Sequence, residues 1–280
     1  MKYRPGLPER NDNISEEGPL KEFATLLAGL FIIGAILYLI LGLLIDFSVE
    51  RISPETEQRW FKKPGLNLAI ESTLGGAELE EHEQVALFES LKACAGIDVD
   101  LRLWKVESQV ANALAVPGGE IIVFSGLEKL LETQNGLAFV LAHELAHFKH
   151  RDHLRGLGRG IVLTFLSSVI AGSDAALTRL VSPVSVLGQA GYSRSRERAA
   201  DVLALDLLNC HYGHVGGATE FFERMAHRES VAYRSLHYFS THPASQARIS
   251  EMNALAHEKG YAAQKTIPLD RRENIHDLPK

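Results

Sequence analysis

An uninterrupted apolar run near the amino terminus restricts the fold of this chain more than any other feature. Residues 23–45 form 23 consecutive positions without a charge, between Lys21-Glu22 and Asp46. A helix of that length measures about 30 Å, the thickness of the hydrocarbon layer of a bilayer. The run is too long and begins too late for a cleaved signal peptide, and no small-residue cleavage motif precedes Asp46. We therefore predict a single transmembrane helix that contacts membrane lipid through residues 23–45.

The segments around this helix define the expected domain organisation. Residues 1–22 are polar and rich in Pro, Gly, Glu and Asn, which predicts a disordered tail. We expect a linker over residues 46–64, one domain over residues 65–257 and a C-terminal tail over residues 258–280. Within twenty residues of the span, three Lys or Arg precede it and four follow it, so the positive-inside rule does not decide its orientation. We favour a short cytoplasmic tail with the domain translocated.

The charge balance and the cysteines narrow the classes of partner and site. The formal net charge is -6 at pH 7 and the pI is near 6.1. No basic excess is present to meet phosphates, so we expect no nucleic-acid partner. The two cysteines, Cys94 and Cys210, lie far apart and form no CxxC pair, so they cannot hold a zinc ion alone. The sequence leaves open whether they form a disulfide.

Hydrophobic periodicity predicts an α+β domain that is mainly α-helical. Residues 82–96 and 137–153 carry apolar residues at helical spacing. Residues 101–124 instead show strand patterning: 101–106 alternate, and the short apolar runs on either side of the Pro-Gly-Gly turn at 117–119 predict a β-hairpin. The Gln-Asn-Gly sequence at 134–136 is expected to separate the second helix from the segment before it.

The predicted helix over residues 137–153 carries a group of residues that is typical of a catalytic metal site. His143 and His147 are four residues apart, so a helix places them one turn apart on one face. Two imidazoles in that arrangement can bind one Zn²⁺ at about 2.0–2.1 Å. Glu144 then projects beside the metal, where its carboxylate can take a proton from a zinc-bound water. This is the HExxH pattern of metallopeptidases.

A third ligand is needed, and two candidates present themselves. His153 lies six residues after His147, at the offset of the third histidine in HExxHxxGxxH enzymes. The glycine that lets the chain turn back in those enzymes is replaced here by His150, which disfavours this choice. Glu197 lies farther along the chain and would complete a His₂Glu site. Asp201, one helical turn later, could accept a hydrogen bond from a liganding imidazole.

Together these motifs resemble peptidase family M48. The resemblance rests on four stretches and covers residues 65–257: His-Glu-Leu-Ala-His at 143–147, Ser-Arg-x-x-Glu-x-x-Ala-Asp at 193–201, Asn-Ala-Leu-Ala-Val-Pro-Gly-Gly at 112–119 and Thr-His-Pro-Ala-Ser-Gln-Ala-Arg-Ile at 241–249. It implies a zincin-like metallopeptidase domain with a small β-sheet before the catalytic helix. It also implies one Zn²⁺ per chain, bound by His143, His147 and Glu197. Glu144 is then the general base.

The resemblance extends to residues near the metal and to the biology of the protein. It implies Asp201 as the support of a zinc ligand, and it points to His242 near the metal. His242 would either donate a hydrogen bond to the oxyanion or occupy the fourth metal position. Arg248 would pair with Glu197, with Asp201 or with a substrate carbonyl. Substrates would be protein or peptide, in particular misfolded or membrane-associated envelope proteins, and the enzyme would lie in a bacterial inner membrane with its catalytic domain in the periplasm.

Other functions compete with the endopeptidase. A zinc-stabilised scaffold could bind envelope proteins as a chaperone with little proteolysis, but a structural site has no use for a general base such as Glu144. A metal-dependent hydrolase of non-peptide bonds is a further alternative. An edge strand that can accept an extended peptide would favour the peptidase.

Two further stretches each have two interpretations. The strand formed by Asn112, Ala113, Leu114 and Ala115 is our candidate edge for the substrate, or else half of an ordinary structural hairpin. Residues 160–173 are 14 consecutive uncharged positions. That is short for a membrane span and fits a core or interfacial helix better.

Overall fold

The structure is a computed structural model that describes residues 18–61, 71, 75–79, 83–171, 192–227 and 246–269. Its helices are α1 (Pro19–Val49), α2 (Pro54–Phe61), α3 (Glu83–Cys94), α4 (Ser125–Leu130), α5 (Gln134–Lys149), α6 (Asp152–Ala171), α7 (Arg194–Tyr212), α8 (Glu220–His227) and α9 (Gln246–Glu258). Its strands are β1 (Gly76–Glu78), β2 (Arg102–Val106), β3 (Ala113–Val116) and β4 (Glu120–Phe124). The mainly α-helical α+β class predicted from the sequence is confirmed.

The four strands form one mixed sheet in the order β1-β2-β4-β3. β3 and β4 are antiparallel and pair across the Pro-Gly-Gly turn, so the predicted hairpin is confirmed. β2 runs parallel to β4, and β1 pairs antiparallel with β2 at the far side. The three-residue β1 was not predicted because it is too short to show a period. β3 therefore forms one edge of the sheet, as the sequence led us to expect.

α5 is the central helix of the domain, and every residue from Asn135 to Phe148 is buried. It begins at Gln134, so the prediction that residues 134–136 precede the helix, with a start at Leu137, is wrong. The Thr133 side chain accepts a hydrogen bond from the Gly136 N–H at 3.0 Å and caps the first turn. The predicted end at residue 153 is also wrong. The helix stops at Lys149, because Arg151 takes a positive φ of 62° before α6 begins.

α1 is longer than the predicted span, since it extends from Pro19 to Val49. Among the described residues it is the one helix that is long and apolar enough to cross a membrane. Its carboxyl-terminal end packs against the start of α6, where Gly158 lies directly beside Ile45. A side chain at Gly158 would collide with Ile45, with a Cβ–Cγ2 distance of 2.8 Å. α1 is therefore in contact with the domain.

The predicted linker and C-terminal tail both contain residues that pack on the domain. Within 46–64, α1 continues to Val49 and α2 follows, with the Glu57 side chain fully buried. Within 258–280, the described residues continue to position 269 and pair with the start of α5. There the Gln134 N–H donates to Ile267 O and the Leu269 N–H donates to Glu132 O, both at 2.8 Å. Backbone hydrogen bonds thus hold a segment whose sequence shows no periodic pattern.

The structure also decides the pairing of the cysteines. Cys94 at the end of α3 and Cys210 in α7 form a disulfide, although 116 residues separate them in the sequence. The bond joins two helices that both pack against α5. It therefore closes the domain around the helix that carries the HExxH motif.

Candidate active site

Three side chains from two helices converge at the centre of the domain. His143 and His147 project from one face of α5, and Glu197 comes from the first turn of α7, which packs along α5. One ligand atom of each lies within 4.8 Å of the others, and all three residues are buried. In the part of the chain that the structure describes, this is the one group of three or more His, Cys, Asp or Glu side chains with such spacing.

The distances within this group fit a tetrahedral zinc ion. The Nε2 atoms of His143 and His147 are 3.0 Å apart. The two Glu197 carboxylate oxygens lie 3.5 Å from these nitrogens, one from each. Around zinc with bonds of about 2.0–2.1 Å, neighbouring tetrahedral ligand atoms are separated by about 3.3–3.4 Å. Two imidazoles and one carboxylate also form the donor set that catalytic zinc sites use, with one position left for water.

Each imidazole is oriented from behind by a carboxylate. The Nδ1 atom of His143 lies 3.1 Å from Asp201 Oδ1, and the Nδ1 atom of His147 lies 3.0 Å from Asp152 Oδ2. A carboxylate at Nδ1 fixes the proton there and leaves Nε2 with its lone pair directed at a metal. Both rings are therefore held in the tautomer that a metal ligand needs.

Arg248 from α9 connects two of the acidic residues. Its Nε and Nη2 atoms donate to the two oxygens of Asp201 at 2.9 and 2.7 Å, which is a bidentate arrangement. Its Nη1 atom lies 2.7 Å from Glu197 Oε2. The guanidinium also stacks on the Phe222 ring, 4.4 Å from its centre. α9 thus supplies the positive charge that lets two carboxylates lie buried side by side.

These charges shift the pKa values of the site residues in the absence of metal. Burial alone would lower the pKa of His143, but hydrogen bonds and charges from Asp201 and Glu197 outweigh it and raise the pKa to about 9. For Asp201, burial would raise the pKa, and contacts with His143 and Arg248 lower it instead. A zinc ligand must be unprotonated, so metal binding at neutral pH has to displace a proton from His143.

Glu144 lies beside the three converging residues and contacts the edge strand. Its Oε2 accepts a hydrogen bond from the Ala115 N–H at 3.0 Å, and the side chain is buried. The Phe124 N–H donates to Asn112 O, so alternation along β3 directs the N–H groups of Ala113 and Ala115 away from β4. The Ala113 N–H donates to the Asn112 side chain at 2.9 Å.

The candidate substrate strand is buried. The exposed fractions of Asn112, Ala113, Leu114 and Ala115 are 2%, 0%, 7% and 3%. The strand therefore lies at the edge of the sheet in terms of hydrogen bonding, but its side chains are inaccessible to solvent. An incoming peptide would have to displace the groups that cover it.

His153, the alternative third ligand, takes part in a different cluster. Its Nε2 atom lies 2.8 Å from Glu57 Oε1, and its ring stacks on Phe148 with 4.9 Å between ring centres. Glu57 also accepts from the Gly118 N–H at 3.0 Å and lies 3.1 Å from Arg151 Nη1. His150, which replaces the glycine of HExxHxxGxxH enzymes, forms the carboxyl-terminal cap of α5. The described geometry thus places neither histidine in the converging group.

Asp152 and Tyr192 also contact the site, although their places in the sequence predicted no role for them. Asp152 begins α6 and reaches back to His147, and the sharp turn at Arg151 makes this possible. Tyr192 stacks on the His147 ring, with 4.2 Å between ring centres, and burial raises its pKa well above the usual value. An acidic residue five positions after the second histidine was the available signal for Asp152. His242 lies outside the described residues.

Comparisons with known proteins agree with this geometry. The family model described as Peptidase family M48 matches residues 82–256. The mitochondrial metalloendopeptidase OMA1 of Schizosaccharomyces pombe is 29% identical over 158 residues, which cover 55% of this chain and 46% of that protein. A protease HtpX homolog of Persephonella marina is 28% identical over 223 residues, or 64% of this chain and 75% of that protein.

A third relative is the beta-barrel assembly-enhancing protease of Escherichia coli, which is 23% identical over 166 residues, or 55% of this chain and 34% of that protein. The chain thus spans less than half the length of the yeast and Escherichia coli relatives. The family match, however, covers more than half of the chain and includes all three converging residues. This chain belongs to peptidase family M48.

Proposed function

We propose that this protein is a zinc-dependent endopeptidase that cleaves membrane-associated or misfolded envelope proteins, with Glu144 as its general base. One observation carries the proposal. Two imidazoles and a carboxylate converge within 4.8 Å, and a separate buried carboxylate from the same helix turn lies beside them. A purely structural zinc site would be closed by four protein ligands and would need no additional acid or base.

The proposed roles follow from the positions of the side chains. His143, His147 and Glu197 would hold one Zn²⁺ per chain, and the metal when bound would polarise the scissile carbonyl and activate a water. Glu144 would accept a proton from the attacking water and transfer it to the leaving amine. Asp201 and Asp152 would keep the two imidazoles oriented, and Arg248 would neutralise Asp201 and Glu197. His242 remains our proposal for a group that acts near the metal.

Substrate binding is proposed to occur along β3. An extended peptide would add as a further strand and bond to the Ala113 and Ala115 backbone. Because Glu144 accepts the Ala115 N–H in this structure, peptide entry would have to release that hydrogen bond. The same event would free the carboxylate for proton transfer. Recognition through the backbone would suit a range of unfolded protein substrates.

The disulfide supports an orientation for the catalytic domain. Disulfides persist in oxidising compartments such as the bacterial periplasm and are rare in the cytoplasm. Since Cys94 and Cys210 are bonded within the domain, we place the domain on the oxidising side of the membrane and α1 across it. In a bacterium this corresponds to the inner membrane with a periplasmic catalytic domain. The Escherichia coli relative is named a beta-barrel assembly-enhancing protease, which supports envelope proteins as the substrate class.

The first test replaces Glu144 by Gln in the full-length protein. We expect cleavage of an unfolded casein-type substrate to fall by about 10²–10⁴-fold, because the amide cannot accept the proton. Zinc content, measured by mass spectrometry, should remain at the wild-type value. Glu223→Gln, a change of an exposed carboxylate on α8, serves as the matched control and should leave both quantities unchanged.

Three results would contradict the proposal. Cleavage by Glu144→Gln at the wild-type rate would exclude Glu144 as the general base. If the zinc-loaded wild-type protein binds unfolded protein but cleaves neither peptides nor proteins, the scaffold alternative would replace the endopeptidase. Hydrolysis of esters without hydrolysis of peptides would favour a non-peptide hydrolase.

A further inference from the structure

An ion pair between α1 and α6 lies where the charged part of each helix meets its uncharged part. Asp46 is the first charged residue after the apolar run 23–45, and Arg159 is the last charged residue in α6. Their Oδ2 and Nη2 atoms are 2.7 Å apart. The uncharged stretch 23–45 of α1 and the uncharged stretch 160–171 of α6 therefore both extend from the level of this ion pair.

Both stretches leave this level in the same direction. Arg155 of α6 lies 3.4 Å from Glu50, on the domain side of Asp46. Beyond Asp46, Gly158 lies beside Ile45, and Gly42 lies next to the Arg159 side chain. As residue numbers increase along α6 they decrease along α1, so the helices are antiparallel. Residues 160–171 thus continue beside the apolar part of α1, away from the catalytic domain.

The exposure of α6 changes at the same level. Leu154 and Leu157, before Arg159, are only 6% and 9% exposed because they pack into the domain. Ile161 and Leu163, after Arg159, are 44% and 57% exposed. Leu43 of α1, three residues beyond Asp46 on the same side, is 69% exposed. Large apolar side chains are thus accessible on both helices beyond the ion pair. On its domain side, Phe47 of α1 is also 56% exposed, with the Arg51 guanidinium over its ring.

We propose that the carboxyl-terminal half of α6, residues 160–171, lies in the hydrocarbon layer of the membrane beside α1, with Ile161 and Leu163 in contact with lipid acyl chains. Twelve helical residues measure about 18 Å, so this segment enters the layer without crossing its thickness of about 30 Å. The ionic groups of Asp46, Arg155 and Arg159 then lie at the level of the lipid headgroups. Their mutual pairing lowers the cost of placing them there.

The insertion would hold the metal site at a fixed distance from the membrane. α6 begins at Asp152, whose carboxylate contacts the His147 imidazole at 3.0 Å. Arg196, next to Glu197 in α7, bridges Asp152 and Asp46, with distances of 3.3 and 3.1 Å. The active site would therefore lie immediately above the headgroups, within reach of segments that emerge from the bilayer.

Site-directed spin labelling in the full-length protein tests the proposal. The two native cysteines are paired, so Leu163→Cys supplies one reactive thiol for a nitroxide label. The protein is reconstituted into vesicles of phosphatidylcholine and phosphatidylglycerol, and collisions with oxygen and with a water-soluble nickel chelate are measured. Leu43→Cys reports the hydrocarbon environment of α1, and Asn253→Cys on the exposed surface of α9 reports water.

We expect the label at position 163 to resemble that at position 43, with collisions with oxygen several-fold more frequent than those with the nickel chelate. A label at position 161 should behave in the same way, which protects the test against a local disturbance by one variant. Wild-type zinc content in each labelled protein shows that the domain is folded.

Three outcomes would overturn the proposal. Labels at positions 161 and 163 that collide with the nickel chelate as readily as the label at position 253 would place α6 in water. Protection from both reagents together with dipolar broadening would indicate that a second copy of the chain covers this face. A water-exposed label at position 43 would remove the anchor itself. None of these results depends on proteolysis, so the proposed catalytic function is tested separately.

Discussion

Two buried clusters in this domain have nearly the same composition but different geometry. The metal cluster comprises His143, His147, Asp152, Glu197, Asp201 and Arg248, and the Glu57 cluster comprises Glu57, Arg151 and His153. Each combines imidazole, carboxylate and guanidinium groups with little exposure to solvent. The short turn between α5 and α6 lies between their histidines. His143 and His147 precede the turn, and His153 follows it.

The clusters differ in what the imidazole nitrogens face. In the Glu57 cluster, Nε2 of His153 lies 2.8 Å from a carboxylate oxygen, which also accepts the Gly118 N–H. In the metal cluster the carboxylates of Asp201 and Asp152 take the Nδ1 atoms, and both Nε2 atoms turn towards one point. A metal site therefore requires donors directed at a shared point, and an abundance of histidine and carboxylate is insufficient.

The largest expected effect is that of Glu197→Gln in the metal cluster. Loss of an anionic ligand should weaken zinc binding by more than about 100-fold, the upper range for losing a group that only supports a ligand. Proteolysis should fall to background in the same variant. Zinc content after dialysis and cleavage of unfolded protein provide the measurements. If Glu197→Gln retains stoichiometric zinc, the His₂Glu assignment is wrong.

Glu57→Gln should have the opposite profile, with a large effect on stability and little on zinc. Breaking a buried ionic cluster by removing the charge of one partner costs about 3–5 kcal/mol, because Arg151 loses its buried counter-charge. We expect a lower urea midpoint for the domain and an unchanged zinc stoichiometry in the folded protein. Loss of zinc before unfolding would show that the two clusters act as one.

Asp201→Asn should weaken the metal cluster without abolishing it. The amide no longer provides the charge that fixes the Nδ1 proton of His143, so zinc affinity should decrease by about 10–100-fold. Competition with a chromogenic chelator measures this change. Asp206→Asn, at a half-buried position of α7 that pairs with Lys259, serves as the control. Equal zinc affinities for the two variants would contradict the proposed support of His143.

The smallest effect concerns the acid stability of the Glu57 cluster. Burial would raise the pKa of Glu57, but hydrogen bonds from His153 and the Gly118 N–H, with the charge of Arg151, lower it below the ordinary value of 4.5. A lowered folded-state pKa contributes stability above 4.5 that is lost as pH falls through the folded value. Below pH 4.5 the wild type should therefore lose stability more steeply than Glu57→Gln. Parallel curves of unfolding free energy against pH would refute this.

Local patterns in the sequence predicted much of the fold. The run 23–45 predicted a long apolar helix, and the Pro-Gly-Gly turn predicted a hairpin. The spacing of His143 and His147 predicted that both lie on one helical face. Each of these depends on residues within a few turns of one another. Helix boundaries were predicted less accurately, because the Thr133 cap and the positive φ at Arg151 are local backbone features that hydrophobic periodicity does not encode.

The sequence by itself determined the long apolar helix α1, the mainly helical class and the two histidines with Glu144, because each is encoded by spacing along one element. Only the tertiary structure decided how distant elements meet. The packing of α7 on α5 brings Glu197 and Asp201 to the histidines, and that of α3 and α7 brings Cys94 to Cys210. The packing of α2 against the turn after α5 occupies His153 with Glu57. These contacts join residues up to 116 positions apart, and burial and shape complementarity, which no local pattern encodes, select them.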